Sequence, residues 1–147
     1  MKLESKFFGP VEYEAQELIH LTQALPGFEE EREFLLLPFA GSERQMLCFQ
    51  SVKTPALAFV LLDPFTLDPT YAPAPKAEEL QELGVEKKEE LFFYVLCAVR
   101  TPVGDSTVNL RCPLAINPHS LQARQVILEE ESYEMRCPLS SFAKEMG

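Results

Sequence analysis

The side chains that most often carry out catalysis are few in this chain, and they are not grouped. The 147 residues include only two histidines, His20 and His119. A nucleophilic enzyme needs a base beside its nucleophile, and that base is usually a histidine. His20 lies in a short apolar run and His119 in a turn-like stretch, so we expect a structural role for the first and a loop position for the second. The histidines argue against an enzyme.

The cysteines and glycines give no pattern for a metal or a cofactor. Four cysteines are widely spaced, and no two of them form a C-x-x-C pair: Cys48, Cys97, Cys112 and Cys137. This spacing disfavours a metal or redox site and favours buried, reduced thiols in a reducing compartment. The six glycines form neither G-x-G-x-x-G nor G-K-[ST], which excludes phosphate binding by those loops. We expect no catalytic site, no metal and no cofactor.

Acidic residues dominate the charge and suggest what kind of partner the protein has. The chain holds 23 acidic and 13 basic residues, for a net charge of −10. Such a field repels nucleic-acid phosphates and anionic lipid, and it accelerates encounters with basic partners. Direct binding to nucleic acid or to a membrane is therefore not expected. The plainer alternative is that the excess glutamate only keeps the protein soluble.

Two runs of three glutamates concentrate this charge, at residues 29–31 and 129–131. Consecutive carboxylates bind cations weakly, and a solvated turn or a patch for a basic partner is the favoured interpretation. Glu129, Glu130 and Glu131 directly follow a predicted strand. We expect these three side chains to steer a basic partner toward the protein.

Length and composition indicate one globular domain spanning residues 1–147. A hydrophobic content of 46% with 24% charged residues is ordinary for a chain that buries a core. No apolar run approaches the roughly 20 residues that span a bilayer. The first residues contain neither the apolar stretch nor the small-residue cleavage site of a secretory signal. The expected location is the cytoplasm.

Most of the chain is patterned as short strands. The clearest signal is a hairpin of two apolar runs, residues 46–52 and 56–62, joined by a Lys-Thr-Pro turn and closed by Asp-Pro. Residues 2–8 and 11–13 flank a Gly-Pro pair and predict a first hairpin. Further strands are predicted at residues 18–21, 34–37, 91–100, 106–112, 114–117 and 125–128. Because the connections are short, we expect antiparallel pairing.

Three segments depart from the strand pattern. Residues 76–83 are good helix formers followed by Gly84, and they predict a helix with one apolar stripe and its glutamates in water. Residues 64–75 contain four prolines and predict an extended crossing without ladder hydrogen bonds. Residues 140–145 predict a helical turn. The expected fold is all-β: a small antiparallel barrel or sandwich with one short helix near residues 76–83.

Four segments carry motifs that occur together, in this order and with similar separations, in one family. They are FFGPVEY at residues 7–13, LPGFE and FLLLP within residues 25–38, the hairpin that ends in Asp63-Pro64, and NLRCPLAIN at residues 109–117 followed by QVIL and a tyrosine. In these motifs the chain resembles the flagellar assembly factor FliW family. Phe49 stands where the family usually has leucine. The resemblance covers residues 7–133.

The resemblance implies a non-enzymatic regulator of flagellum assembly. Proteins of this family bind flagellin and the RNA-binding translational repressor CsrA. Flagellin that accumulates in the cell captures the regulator and leaves CsrA free to silence flagellin mRNA. Once flagellin is exported, the released regulator binds CsrA and relieves the silencing. Masking of the RNA-binding surface and an effect elsewhere on CsrA both fit the acidic charge of this chain.

The family motif adds three polar candidates for partner contact, Asn109, Asn117 and Gln125, to the three glutamates named above. For each of these three a structural role is favoured over partner contact, since buried polar groups are normally satisfied within the fold. Two alternatives to the regulator stay open. One is a β-rich structural or assembly module without regulatory partners, and the other is an enzyme with a hidden carboxylate or cysteine site.

Overall fold

A closed β-barrel forms the body of the protein in a computed structural model that describes residues 1–42 and 45–142. The strands in these ranges are β1 (Lys2–Ser5), β2 (Gly9–Glu12), β3 (Ile19–Leu21), β4 (Glu33–Pro38), β5 (Met46–Ser51), β6 (Ala58–Leu62), β7 (Phe92–Ala98), β8 (Thr107–Val108), β9 (Leu114–Ile116), β10 (Gln122–Gln125) and β11 (Cys137–Pro138). The α-helices are α1 (Pro64–Leu67) and α2 (Ala77–Glu82). Turns of 3-10 helix lie at Ala15–Glu17, Lys88–Glu90, Val103–Asp105 and Leu139–Phe142. The β-dominated fold predicted from the sequence is confirmed.

The barrel closes because β7 has two partners along one of its sides. Residues 92–94 of β7 pair with β9, and its C-terminal end pairs with β8. From β7 the ring of seven described strands runs through β6, β5, β4, β3, β10 and β9 and returns to β7. β8 and β11 extend this ring sideways, and β1 and β2 form a separate hairpin. Closure gives every strand of the ring two neighbours and removes the long open edges of a flat sheet.

One pair of strands in the ring is parallel, which corrects the expectation of antiparallel pairing throughout. In this pair β10 runs beside β3, with Gln122 opposite His20 and Ala123 opposite Leu21. Parallel neighbours require a long connection, and these two strands stand at opposite ends of the ring in chain order. Short connections dictate antiparallel pairing only for consecutive strands, so they say nothing about this closing pair.

Apolar side chains fill the barrel. Phe34 and Phe49 are fully buried and stack face to face with ring centroids 4.2 Å apart. They belong to a cluster that includes Leu61 on β6 and Leu114 on β9. Burying one such side chain contributes roughly 1.5–3 kcal/mol. The alternating apolar residues of the strands therefore hold the ring together from inside.

A second apolar cluster lies outside the ring, against helix α2. It contains Phe93 and Val95 of β7, and Leu83 at the end of α2. Gly84 follows with a φ of +74°, in the left-handed region that the helix-ending glycine was predicted to occupy. A smaller cluster joins the β1–β2 hairpin to β4. The helix and the first hairpin are thus outer layers of a single barrel.

A buried glutamine organises the predicted β5–β6 hairpin. Gln50 is fully buried, and its Nε2 donates to the carbonyl oxygens of Ser51 and Pro55 at 2.9 and 3.0 Å. Its Oε1 accepts a hydrogen bond from the amide of Lys6 at 2.8 Å. One side chain therefore closes the turn of this hairpin and ties the N-terminal hairpin to the barrel.

The turn of the first hairpin lies earlier than predicted. Residues 6–8 form the turn, while Gly9 and Pro10 belong to β2. The reason is a pair of local hydrogen bonds. The Ser5 hydroxyl donates to the carbonyl of Gly9 at 2.8 Å and accepts from the amide of Phe8 at 2.9 Å. A serine side chain can close a turn that glycine and proline only permit.

Some strand predictions near the C-terminus are wrong. β10 ends at Gln125, where a strand over 125–128 was predicted, and β8 covers only part of the predicted strand 106–112. After Gln125 no regular ladder continues, but the amides of Val126 and Leu128 still donate to the carbonyls of Pro113 and Arg111, and both side chains join the second cluster. β11 was not predicted. Short apolar runs give the same signal whether or not they form a regular ladder.

The proline-rich segment 64–75 starts with a helix, so the described residues contain two short α-helices instead of one. Asp63 caps α1 by accepting from the amide of Phe65 at 2.9 Å, and Pro64 occupies the first helical position, where proline is tolerated. The remainder of the segment is extended without a ladder, as predicted. The helical turn predicted at residues 140–145 is a 3-10 turn up to Phe142, and its last residues lie outside the described ranges.

Candidate protein-binding surfaces

The three candidate glutamates lie on an exposed loop, residues 129–134, which we call the acidic loop. All three side chains face solvent, and so does Glu134. Exposed apolar side chains flank the loop on both sides, with Ile127 51% and Met135 54% exposed. Carboxylates next to exposed apolar groups form the kind of surface that a basic protein partner recognises.

The acidic loop is anchored at both ends, so its charges have a defined position. Before the loop, the amide of Leu128 donates to the carbonyl of Arg111 at 3.0 Å. Within it, the Tyr133 hydroxyl accepts from the amide of Ala72 at 2.9 Å, and the Tyr133 ring packs edge-on against Tyr71 at 4.8 Å between centroids. Burial raises the pKa of Tyr71, whose hydroxyl donates to a backbone carbonyl.

Asn109 and Gln125 meet at one turn of the chain. The Asn109 Oδ1 accepts from the amide of Cys112 at 2.9 Å, and the Gln125 Nε2 donates to the carbonyl of Cys112 at 3.0 Å. Both side chains are half-buried. These bonds hold the turn before Pro113, where proline leaves the backbone without a donor. A structural role of each side chain is therefore visible in the described residues, and partner contact remains a prediction.

Asn117 lies inside the fold, with 5% of its surface exposed. Its Nδ2 donates to the carbonyl of Leu83 at 2.8 Å, and its Oδ1 accepts from the amide of His119 at 2.9 Å. The side chain thus joins the end of α2 to the loop that enters β10. Leu121 in that loop has a φ of +59°, an unusual value for a leucine, so the loop is closely constrained.

Helix α2 contributes a buried carboxylate, which corrects the expectation that all its glutamates face water. Glu79 is 3% exposed; its Oε1 accepts from the amide of Lys76 at 2.8 Å and its Oε2 from the amide of Ile127 at 2.9 Å. The same Oε2 lies 3.5 Å from Nη2 of Arg124, which also pairs with Glu82. Burial alone would raise the pKa of Glu82, but the hydrogen bond and charge of Arg124 lower it.

An apolar groove of about 490 Å³ opens between α1 and β7. Phe65 and Phe92 stand at the groove with 41% and 58% of their surfaces exposed. Lys88 and Glu89 place opposite charges among the lining residues. Exposed aromatic side chains around a groove are typical of surfaces that contact other proteins.

Nothing in the described ranges groups residues for metal binding: no set of three or more His, Cys, Asp or Glu side chains could hold an ion there. The four cysteines are free thiols. Burial raises the pKa of Cys48 to about 11, the opposite of an activated nucleophile. No helix among the described residues is long and apolar enough to cross a bilayer.

The ring of seven strands and its outer layers of hairpin and helix define a small β-barrel protein with exposed acidic and apolar surfaces. Comparison with known proteins narrows this class. The family model described as "FliW protein" matches residues 2–139. The chain therefore belongs to the FliW family of flagellar assembly factors.

Individual relatives align with this chain over nearly its whole length. The flagellar assembly factor FliW of Geobacillus thermodenitrificans is 36% identical over 136 residues, which are 92% of this chain and 93% of the relative. The FliW protein of Geotalea uraniireducens is 37% identical over 139 residues, 94% of this chain and 83% of the relative. A crystal structure of the flagellar assembly factor FliW superposes with a TM-score of 0.86 at 35% identity, covering 95% of this chain and 96% of that chain. The predicted resemblance is confirmed.

Proposed function

We propose that this protein acts in the cytoplasm by binding flagellin and the translational repressor CsrA in alternation. Bound to flagellin, it leaves CsrA free to silence flagellin mRNA. Released after flagellin export, it binds CsrA and relieves the silencing. Translation of flagellin is thereby coupled to its export, and the protein contributes binding surfaces without catalysing a reaction.

Membership of the FliW family over residues 2–139 is the observation that carries this proposal. The charge of the chain supports it, because an RNA-binding repressor presents basic groups and a net charge of −10 attracts them. The acidic loop supports it further: Glu129, Glu130 and Glu131 are exposed on a loop that is anchored at both ends. We propose this loop as the first contact of CsrA.

Separate and competitive titrations test the proposal. Purified CsrA and purified flagellin are each titrated against the protein by isothermal titration calorimetry, and CsrA is then added to the preformed flagellin complex. We expect saturable binding of both proteins and a weaker apparent affinity for CsrA when flagellin is present. An RNA-binding assay with CsrA and a flagellin leader mRNA should show release of the RNA as the protein is added.

The outcomes separate the alternatives. Binding to neither flagellin nor CsrA would leave a structural or assembly module without regulatory partners. Binding to both without competition would retain two partners but remove the alternation. If RNA is released although this protein binds CsrA away from its RNA-binding surface, the effect is exerted from elsewhere on CsrA. If the site for this protein overlaps the RNA-binding surface, the mechanism is masking.

A further inference from the structure

β6 and β7 pair over only part of their length. Val60 lies opposite Cys97, and the register continues to Leu62, but Ala58 and Phe59 have no ladder partner on the β7 side among the described residues. On their other side both residues pair with β5. The β6–β7 ladder ends at this pair, while β7 continues to Ala98, which pairs with β8 on the other side of β7. One short edge of β6 therefore has no strand neighbour, and it faces a gap in the barrel wall, which we call the β6–β7 cleft.

Cavities lie on both sides of this gap. One has a volume of about 520 Å³ and the other of about 380 Å³, and Phe59 and Cys97 line both. The smaller cavity is mainly apolar, whereas polar and apolar groups line the larger one about equally. Large apolar side chains at the two cavities are accessible: Phe7, Val99 and Met135 are 46%, 51% and 54% exposed. Large exposed apolar side chains gathered at one place mark a contact surface. Asn109, one of the residues selected from the sequence, lines the larger cavity.

The charge of the β6–β7 cleft is opposite to that of the whole chain. Three cations line it, Lys6, Arg100 and Arg136, and all three are exposed. No acidic residue is among its described lining residues, in a protein with 23 acidic and 13 basic residues. The charges that line the cleft therefore favour an acidic partner over a basic one, although the acidic loop ends at Glu134, directly before Met135.

We propose that the β6–β7 cleft captures an extended segment of a partner protein that carries apolar and acidic side chains. The segment pairs as an added strand with the free N–H and C=O of Ala58, since those of Phe59 point to β5. Its apolar side chains enter the two cavities, and its carboxylates meet Arg100 and Arg136. Strand addition of this kind takes affinity from main-chain hydrogen bonds and specificity from pockets for alternate side chains. The inference goes beyond the proposed function and stands whether or not the acidic loop binds CsrA.

Three labelled peptides test the proposal on the full chain by fluorescence anisotropy. The first is a capped ten-residue peptide that alternates valine with glutamate, the second has lysine in place of every glutamate, and the third is the acidic peptide with two central prolines. We expect the acidic peptide to bind about tenfold more tightly than the basic one, and less tightly as salt rises. The proline-containing peptide should bind poorly, because proline cannot donate to a ladder.

Two double variants with the same change in net charge locate the site. Arg100→Gln with Arg136→Gln removes cations from the cleft, and Lys2→Gln with Lys87→Gln removes exposed cations that do not line it. The first pair should weaken binding of the acidic peptide about fivefold, and the second by less than about twofold. Equal losses in both variants would overturn the proposal, because the net charge alone would then explain binding.

Hydrogen exchange on the unmodified protein supplies a measurement that needs no variant. Addition of the acidic peptide should slow exchange in the segment that contains residues 57–60 and leave the acidic loop unchanged. Absence of protection there, despite binding, would overturn capture at this edge. Failure of the acidic peptide to bind up to about 1 mM, or binding no tighter than that of the basic peptide, would also overturn the proposal.

Discussion

Two groups of glutamates in this protein have the same chemistry and opposite surroundings. Glu79 on helix α2 is buried, and its carboxylate accepts two backbone hydrogen bonds beside Arg124. Glu129, Glu130 and Glu131 on the acidic loop face solvent. A buried carboxylate is tolerated only when it is paired and hydrogen-bonded, whereas an exposed one costs the fold little. The first kind holds this structure together, and the second is available to a partner.

The two groups are joined through the same part of the chain. Glu79 binds the amide of Ile127, and the acidic loop starts two residues later. Helix α2 therefore holds the segment after β10 that leads into the acidic loop. This arrangement predicts that changes at the buried group reduce stability, while changes at the exposed group affect only association with a partner.

Glu79→Gln should give the largest effect on stability. The amide nitrogen of glutamine would face either the Ile127 amide or the Lys76 amide, and the ion pair with Arg124 would be lost. We expect the free energy of unfolding to fall by about 3 kcal/mol, measured by urea denaturation. Glu78→Gln, at an exposed position of the same helix, is the matched control and should change it by less than about 0.5 kcal/mol. Similar values for both variants would contradict the comparison.

Asn117→Asp tests whether the buried polar residues of the family motif act on the fold. The change replaces the Nδ2 donor with an oxygen facing the carbonyl of Leu83, at the negative end of α2. We expect a loss of about 2 kcal/mol in the free energy of unfolding, detectable by thermal or urea denaturation. His119→Gln, on the exposed part of the same loop, should be neutral. An Asn117→Asp protein of normal stability that fails to bind a partner would instead assign Asn117 to the interface.

Glu31 is intermediate in exposure between the buried and the exposed glutamates, and its contribution to stability should depend on pH. The hydroxyl of Ser51 donates to its carboxylate, Thr54 donates at 2.6 Å, and these bonds lower the pKa of Glu31 from 4.5. A lowered folded pKa means that the stabilisation is complete above the unfolded value and is lost as the pH falls through the folded one.

Glu31→Gln should therefore be about 1 kcal/mol less stable than the unchanged protein at pH 7. The difference should close as the pH falls below about 4.5. Urea titrations at several pH values measure it, with Glu30→Gln as the control, since the Glu30 side chain is 84% exposed and its pair with Lys53 contributes little. A difference that does not depend on pH would exclude the carboxylate as its source.

The features that could be predicted from the sequence are those that a local pattern of residues determines. Two apolar runs around a Lys-Thr-Pro turn predicted the β5–β6 hairpin, and the glycine at position 84 predicted the end of α2. Apolar runs predicted most strands of the barrel, because the residues that form the strands are also those that bury its interior. The FliW resemblance rested on the same motifs, several of whose polar residues make structural hydrogen bonds here.

Features that depend on distant partners were missed. Glu79 reads as one more solvent-facing helix glutamate, because its partners Arg124 and Ile127 come from another part of the chain. Closure through the parallel β3–β10 pair and the short length of the β6–β7 ladder depend on the arrangement of the whole ring. No local signal marks them. Among the candidate site residues, the exposure of Glu129, Glu130 and Glu131 followed from their run. A structural role was also favoured for Asn117, but its partner Leu83 could not be identified from the sequence.

The smallest effect on stability and a clear effect on association are expected when Glu129, Glu130 and Glu131 are all changed to Gln. These exposed groups should leave the free energy of unfolding within about 0.5 kcal/mol of its original value. Their removal should slow association with CsrA and flatten the dependence of the association rate on salt, because the loop no longer contributes to the attraction. Stopped-flow measurements over a salt series provide both quantities.

A second triple variant distinguishes steering by this loop from attraction by net charge. Glu12, Glu14 and Glu17 are also exposed, and changing them to Gln alters the charge by the same amount near the first hairpin. If the acidic loop contacts CsrA, the change at residues 129–131 slows association more than the control does. The rate of dissociation then rises only for the variant changed at residues 129–131. Equal slowing would assign the effect to the overall field, and unchanged kinetics would remove the loop from the CsrA site. Because the buried Glu79 stays intact in both variants, either result reports on the surface and not on the fold.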